Sequence, residues 1–254
     1  MSKEQAIQRL WETHWANDKA DLISSIQTRF TREAFNQINK FITDSDNLIL
    51  EVACGTGRFC GLLAQQYPHS NIIGVDLSPS ALGLSNRLKE TLGCHNLSFV
   101  EANLFQLPYP DSHFDVVFSE GVVQHFSMED ASTYQDAIRE MLRVTKANGK
   151  LIISVVNWHC YPHTLYKWLL RKFGRPYEYG FEKSFKRSEL VRIFKEMGLA
   201  EIEVTGYYPS HGLFRLSGYS RLFFLFGKVL DAVRSQWFIH TFGFEIVIKG
   251  KKVV

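Results

Sequence analysis

Cysteine is scarce in this 254-residue chain, and its four copies, Cys54, Cys60, Cys94 and Cys160, form neither a Cys-x-x-Cys pair nor a metal-like spacing with histidine. No metal site is expected from such a pattern, and free thiols fit a reducing cytoplasm. Long apolar runs are absent as well. The longest cluster, Leu222-Phe223-Phe224-Leu225-Phe226, is far too short to span a bilayer. The first residues, Met1-Ser2-Lys3-Glu4-Gln5, are polar, so no signal peptide is expected. There is no repeat and no low-complexity segment. The formal net charge of +3 is too mild to imply nucleic acid by itself. The length suits one large domain, or one domain carrying insertions.

What the chain does contain is concentrated first at residues 48–57, Leu-Ile-Leu-Glu-Val-Ala-Cys-Gly-Thr-Gly. An apolar run holding Glu51 near its end meets a Gly-x-Gly turn, and Arg58 onward reads as a helix. A buried parallel strand presents a nucleotide-like cofactor to a helix N-terminus in this way. Gly55 and Gly57 allow a sharp turn and a close approach of backbone to ligand.

Around this segment the pattern alternates. Residues 4–42 read as one or two amphipathic helices, with Ile7, Leu10, Trp11 and Trp15 near helical spacing. Strands are expected at 48–52, 71–75, 97–101, 114–119, 151–156, 200–205 and 244–249. Helices are expected at 58–66, from Ser78-Pro79 to about Leu92, from Ser127-Met128-Glu129-Asp130 to Asn148-Gly149, and at 188–197. Such alternation implies a parallel, doubly wound sheet. Two aromatic-rich stretches interrupt it, 157–187 and 208–243.

Three strand ends then converge on one crevice. Glu51 and the glycines end the first strand, Asp76 the second, and Asn103-Leu104 follow the third. Asp76 is placed to accept two ribose hydroxyls, Asn103 to read an adenine edge, and Leu77 and Leu104 to sandwich the ring. A dinucleotide fold prefers Gly-x-Gly-x-x-Gly, but Cys60 holds the third glycine position and the next glycine is Gly61.

Several ordered motifs resemble those of class I S-adenosylmethionine (SAM)-dependent methyltransferases of the type 11 kind. Glu51-x-Ala-Cys-Gly-Thr-Gly resembles their first motif, and Ile73-Gly-Val-Asp76-Leu-Ser-Pro their ribose-binding motif. Glu101-Ala-Asn103-Leu through Phe114-Asp-Val-Val-Phe-Ser resembles the adenine segment and fourth strand. Leu142 to Ile153 resembles the turn into the fifth strand. The resemblance implies a Rossmann-like α/β sheet of seven strands, mostly parallel with the last antiparallel, helices on both faces, and lid insertions. It implies one domain over 1–254: a helical cap (1–44), a SAM-binding core (45–156) and lids at 157–187 and 208–243. It carries Glu51, Ala53, Cys54, Gly55, Thr56, Gly57, Asp76, Leu77, Asn103, Leu104 and Glu120 over as cofactor residues. Ala53 stands where the family usually has glycine, and Asn103 where aspartate is commoner. S-adenosyl-L-homocysteine is the implied product.

His125 follows the fourth strand and is the candidate base or acceptor ligand; Trp15, Trp158 and His159 are candidate acceptor contacts, with His163 and His211 behind them. No Asn/Asp-Pro-Pro-Tyr/Phe motif is present, which argues against amino-adenine or glutamine methylation. The aromatic, basic insertions point to a small-molecule or lipid-like acceptor. The segment 213–239, apolar with scattered cations, reads first as a pocket roof, then as a dimer contact, then as a helix at a membrane interface. Three rival readings stay open: a nicotinamide-dependent oxidoreductase, a SAM-binding module without turnover, and an RNA methyltransferase. Cytoplasmic location, with or without peripheral membrane contact, is the expectation; the oligomeric state is unread.

Overall fold

The computed structural model describes residues 3–17, 21–127, 133–216, 221–233 and 235–253. Among the described residues three helices, not one or two, precede the first strand: α1 (Lys3–Ala16), α2 (Leu22–Gln27) and α3 (Arg29–Asn39). Asp21 caps α2 and Thr28 caps α3 by accepting backbone N–H bonds, which divides the segment. The core then runs β1 (Leu48–Val52), α4 (Arg58–Gln66), β2 (Asn71–Asp76), α5 (Pro79–Leu92), β3 (Leu97–Glu101), β4 (Phe114–Glu120), α6 (Tyr134–Val144) and β5 (Thr145–Val156). The first insertion contains α7 (Tyr161–Lys172). After α8 (Arg187–Glu196) and β6 (Leu199–Tyr207), the second contains α9 (His211–Leu216), α10 (Arg221–Asp231) and α11 (Gln236–Phe242). β7 (Glu245–Lys252) ends the fold.

The strands form one sheet in the order β3-β2-β1-β4-β5-β7-β6. β7 runs antiparallel to both of its neighbours, and the other pairings are parallel. Ile49, Leu50 and Val52 of β1 are fully buried, as expected of a central strand covered on both faces. On one face Ile138 and Met141 of α6 and Leu190 and Phe194 of α8 pack against Leu50, Val117 and Ile153. On the other, Ile38 of α3 and Phe59 and Leu63 of α4 pack against Ile49, Phe118 and Ile152. Each such buried side chain contributes about 1.5–3 kcal/mol of transfer free energy, so the sheet is held from both sides.

Two boundaries differ from the sequence reading. Met128, Glu129 and Asp130, named for the start of α6, lie outside the described residues; the described helix is fixed by a capping box between Thr133 and Asp136. It also ends at Val144, not at Asn148-Gly149, and β5 begins at Thr145. Asn148 has φ 63°, but it sits in an irregular stretch of the β4–β5 ladder, not at a helix C-terminus. A Cβ on Gly149 would lie 2.9 Å from the Lys146 carbonyl and 3.0 Å from that of Asp115, so a close backbone approach demands glycine there.

The two insertions share a base. Asn157 Nδ2 donates to the carbonyls of Thr241 (2.8 Å) and Gly243 (2.9 Å). Phe185 N–H donates to Val156 O at 2.8 Å, and Trp158 N–H donates to Phe185 O at 2.9 Å, closing the first insertion back onto β5. Both insertions therefore rise from the end of the sheet that holds the carboxyl ends of β1, β2 and β4.

Candidate active site

β1 delivers the chain into a loop of left-handed residues. Ala53, Gly55 and Gly57 have φ of 55°, 54° and 72°. Gly57 is the N-cap of α4, and its N–H donates to Cys54 O at 2.9 Å. A Cβ on Gly57 would lie 2.5 Å from Phe99 Cζ, so this glycine is required by both conformation and space. Ala53 occupies a region that costs a non-glycine residue about 1–2 kcal/mol, which gives a physical reason for the glycine usual at that position. Thr56 and Cys54 are buried beside it. Burial pushes the Cys54 and Cys60 thiols up, so neither is a nucleophile at neutral pH.

Asp76, at the end of β2, receives two backbone bonds: Gly55 N–H to Oδ2 (2.8 Å) and Ser78 N–H to Oδ1 (2.9 Å). The carboxylate thus holds the glycine loop in place, and each oxygen retains a lone pair for a hydroxyl. Burial raises its pKa against these two bonds. Leu77 and Leu104 are half-buried, whereas Asn103 is exposed. Asn103 Oδ1 accepts from Phe105 N–H at 3.0 Å and its carbonyl accepts from Gln106 N–H at 3.0 Å. The acceptor side of this amide is therefore engaged within its own turn.

A buried polar row crosses the same rim of the sheet. The pairings Glu51↔Phe118, Glu120↔Ser154, Val156↔Glu245 and Tyr207↔Glu245 put Glu51, Glu120, Ser154, Glu245 and Tyr207 on one face. Glu51 accepts from Cys60 N–H at 3.1 Å and from Cys60 Sγ at 2.8 Å; desolvation pushes its carboxyl up to about 8. Glu120 accepts from Arg58 Nη2 at 2.9 Å. Tyr207 Oη lies 2.8 Å from Glu245 Oε2 and 3.3 Å from Glu120 Oε1. The Ser154 hydroxyl also donates to Glu245. Desolvation, reinforced by the charge of Glu120, raises the Glu245 carboxyl, so it stays protonated in the fold while it ionises in the unfolded chain. The native state then binds the extra proton, and stability falls as pH rises from the unfolded carboxylate range through the raised folded value. Glu245→Gln is expected to flatten that alkaline loss, by up to about 1.4 kcal/mol per pH unit, in melting curves recorded from acidic to alkaline buffer. An unchanged slope would assign the titration to another group.

Over the loop lies an aromatic cover that the sequence showed only in part. Glu12 of α1 accepts hydrogen bonds from the hydroxyls of Ser78 and Ser80, anchoring α1 at the start of α5. This brings Trp15 onto the loop: a Cβ on Gly55 would lie 3.0 Å from Trp15 Cζ2. Trp11 stacks on Trp15 (5.9 Å between centroids) and on Tyr179 (5.8 Å), and meets the His125 ring edge-on at 5.2 Å. Tyr179 was not singled out from the sequence, because it reaches Trp11 only through the fold of the first insertion.

His125 ends a short 3₁₀ turn, Val123–His125, and is buried. Its Nδ1 lies 2.8 Å from the Phe181 carbonyl, which can only accept, so Nδ1 carries the proton. Burial lowers its pKa, which keeps the ring neutral and leaves Nε2 as its acceptor nitrogen. The next residue, Glu182, is clasped by His163 Nε2 (2.9 Å), Lys167 Nζ (3.1 Å) and the Tyr177 hydroxyl (2.9 Å). Although burial pushes Glu182 up, His163 and Lys167 bring it down to about 2. His163 is thus tied to the clasp that fixes the Phe181 carbonyl. Trp158 and His159 are not brought into the Trp11–His125 group. Their ring partners are each other and Tyr161, and Lys186 Nζ sits 4.6 Å from the Trp158 ring.

The loop, the strand-end acid and the sheet order fit a SAM site, and residues 50–153 match the family described as Methyltransferase domain. These residues are a methyltransferase domain, in the fold of the SAM-dependent methyltransferases. The demethylmenaquinone methyltransferase of Geobacillus stearothermophilus is 24% identical over 226 residues, 81% of this chain and 93% of that protein. Among solved structures, a SAM-dependent methyltransferase from Thermotoga maritima shares the fold with a TM-score of 0.61 and 18% identity, covering 87% of this chain and 88% of that one. The geranyl diphosphate C-methyltransferase of Streptomyces coelicolor A3(2), solved with Mg2+, geranyl diphosphate and S-adenosyl-L-homocysteine, has a TM-score of 0.65 at 13% identity, covering 100% and 99%. In the methyltransferase reading the donor is SAM, and the groups that fit it are the left-handed loop, which lets backbone approach a ligand, and Asp76, a hydroxyl acceptor. Among the described residues, no cluster of histidine, cysteine or acid side chains could hold a metal ion, and no helix is long and apolar enough to cross a membrane.

Proposed function

We propose that this methyltransferase acts on an apolar, lipid-like acceptor of the quinol or isoprenoid type, and that the acceptor lies between the Trp11–Tyr179–His125 group and the Gly55–Gly57 loop. The observation that carries the reading is the aromatic group beside the loop: the rings of Trp11, Trp15, Tyr179 and His125 stack or meet edge-on there, and a planar, apolar acceptor gains most from such rings. The relative named demethylmenaquinone methyltransferase and the neighbour named geranyl diphosphate C-methyltransferase are consistent with that acceptor class.

SAM, when bound, supplies a methyl group on a positively charged sulfur, ready for transfer to a nucleophile. The chain's own residues do the rest. Gly55 and Gly57 receive the amino acid part, together with Glu51 and Glu120 at its edge; Asp76 accepts the ribose hydroxyls; Leu77 and Leu104 flank the adenine beside Asn103. Trp15 and α1 close over the loop and exclude water. Neutral His125, held by the Phe181 carbonyl, accepts through Nε2 the proton that the acceptor loses as its new carbon bond forms. Trp158 and His159, at the outer side of the first insertion, line the approach rather than the reacting centre. The segments 157–187 and 208–243 serve as lids on a single catalytic domain.

The test is production of S-adenosylhomocysteine from SAM with a reduced demethylquinone carrying a short isoprenoid chain. His125→Asn is expected to lower kcat about 10²–10⁴-fold while leaving SAM affinity unchanged. Wild-type turnover in the variant would remove His125 from proton transfer; no product with any apolar acceptor would overturn the acceptor class.

A further inference from the structure

The charge of the chain is divided unevenly. The two insertions, 157–187 and 208–243, hold eleven lysines and arginines against three acids, a net +8, while the whole chain is +3. The remainder is therefore net −5. Two of the three insertion acids are paired within the insertions: Glu178 with Arg215, and the buried Glu182 with Lys167 and His163. The cations consequently dominate the outer surface of the lids.

The same lids carry the exposed apolar side chains. On α7, Tyr161, Leu165 and Trp168 stand 55%, 40% and 51% exposed at a spacing of four and three residues, one stripe of one helix. Lys172 continues the stripe, with its Nζ 5.0 Å from the Trp168 ring centre, and Phe173 follows at 63% exposed. On α10 the inner side is used: Gly227 is buried against Phe214. The other side presents Leu225, Phe226 and Val229, each more than half exposed, with Lys228 Nζ 5.5 Å from the Phe224 ring. Trp237 of α11 is 70% exposed. The outer side of α10 therefore does not roof a pocket, and burying these side chains requires a surface supplied from outside.

We infer that the outer face of α7, α10 and α11 docks on an anionic phospholipid surface, so that the methyltransferase draws its acceptor from the bilayer. Apolar and aromatic side chains flanked by lysine and arginine match the boundary between acyl chains and headgroups. Charge selects among occupants. A second copy would bring the same positive excess to the contact, whereas an anionic membrane neutralises it. The inference deepens the lipid-like acceptor reading and rests on it.

Co-sedimentation of the full chain with phosphatidylcholine vesicles, with and without phosphatidylglycerol, tests it. Binding to the anionic vesicles at low salt is expected, weakened at least ~10-fold by high salt or by omitting phosphatidylglycerol. The double variant Leu225→Glu/Val229→Glu is expected to lower vesicle affinity at least ~10-fold, with wild-type melting temperature and wild-type SAM affinity in vesicle-free calorimetry. Those two controls exclude misfolding and read the SAM site separately. Turnover of a short-chain, water-soluble acceptor reads the chemistry without the bilayer. Absence of binding to anionic vesicles at low salt overturns the proposal even if that turnover is intact. So does equal binding by the double variant, or a homodimer that the double variant dissociates while vesicles go unbound.

Discussion

Asp76→Ala is expected to weaken SAM binding at least ~100-fold, read by calorimetry, because two charge-assisted hydrogen bonds of about 1.5–3 kcal/mol each are lost to the ribose. The same change leaves Gly55 N–H without its acceptor, so the loop that receives the amino acid part loosens as well. Asp76→Asn separates the two effects. Its amide oxygen can still accept from Gly55 N–H, but it gives up the charge and one acceptor atom, so an intermediate loss is expected. Equal affinity in wild type and Asp76→Ala would remove Asp76 from the cofactor site.

Gly57→Val is expected to act through both strain and space. The residue sits at φ 72°, and its Cβ would fall 2.5 Å from Phe99 Cζ and 3.0 Å from Ser85 Cβ. Phe99 cannot retreat easily, because a Cβ on Gly74 would meet the same ring at 2.7 Å; the ring is wedged between two glycines. Backbone strain of about 1–2 kcal/mol adds to an overpacking cost of about 1–3 kcal/mol. A drop of several degrees in melting temperature, with SAM affinity reduced more than ~10-fold, is the expected result. A variant that melts and binds like wild type would mean that the loop does not need the left-handed turn.

The sheet was legible because its strands are short apolar runs closed by acids and glycines, as at Leu48–Val52 and Asn71–Asp76. The α6–β5 junction was not, because Asn148-Gly149 carries the same left-handed signal at a strand irregularity as at a helix end. What separates the two is the approach of the Asp115 carbonyl to Gly149, a contact made by a distant strand. The left-handed turn at Gly55–Gly57 and the place of Asp76 at the end of β2 could be read from local sequence, since each depends on its own strand end. Glu245 and Tyr207 could not, since they join Glu120 only when β7 enters between β5 and β6. Trp11 and Trp15 were visible as a helical pair, but their partner Tyr179 comes from a segment more than a hundred residues on, through a loop held by the Glu182 clasp. Trp158 and His159 lie next to β5 in sequence, yet the backbone bond from Trp158 to Phe185 leaves them on the outer side of the insertion.

The buried row also bears on how the site is held. Arg58 is its one guanidinium and bonds Glu120, while Glu51 and Glu245 are stabilised by protonation rather than by pairing.

SAM is expected to occupy the Gly55–Gly57 loop with its reactive side turned to the aromatic cover. A crystal structure with S-adenosylhomocysteine tests this most directly. The expected density has the homocysteine part on the loop, both ribose hydroxyls on Asp76, the adenine between Leu77 and Leu104, and the sulfur facing the Trp11–His125 group. Ligand density elsewhere on the sheet, or a sulfur turned away from that group, would contradict it.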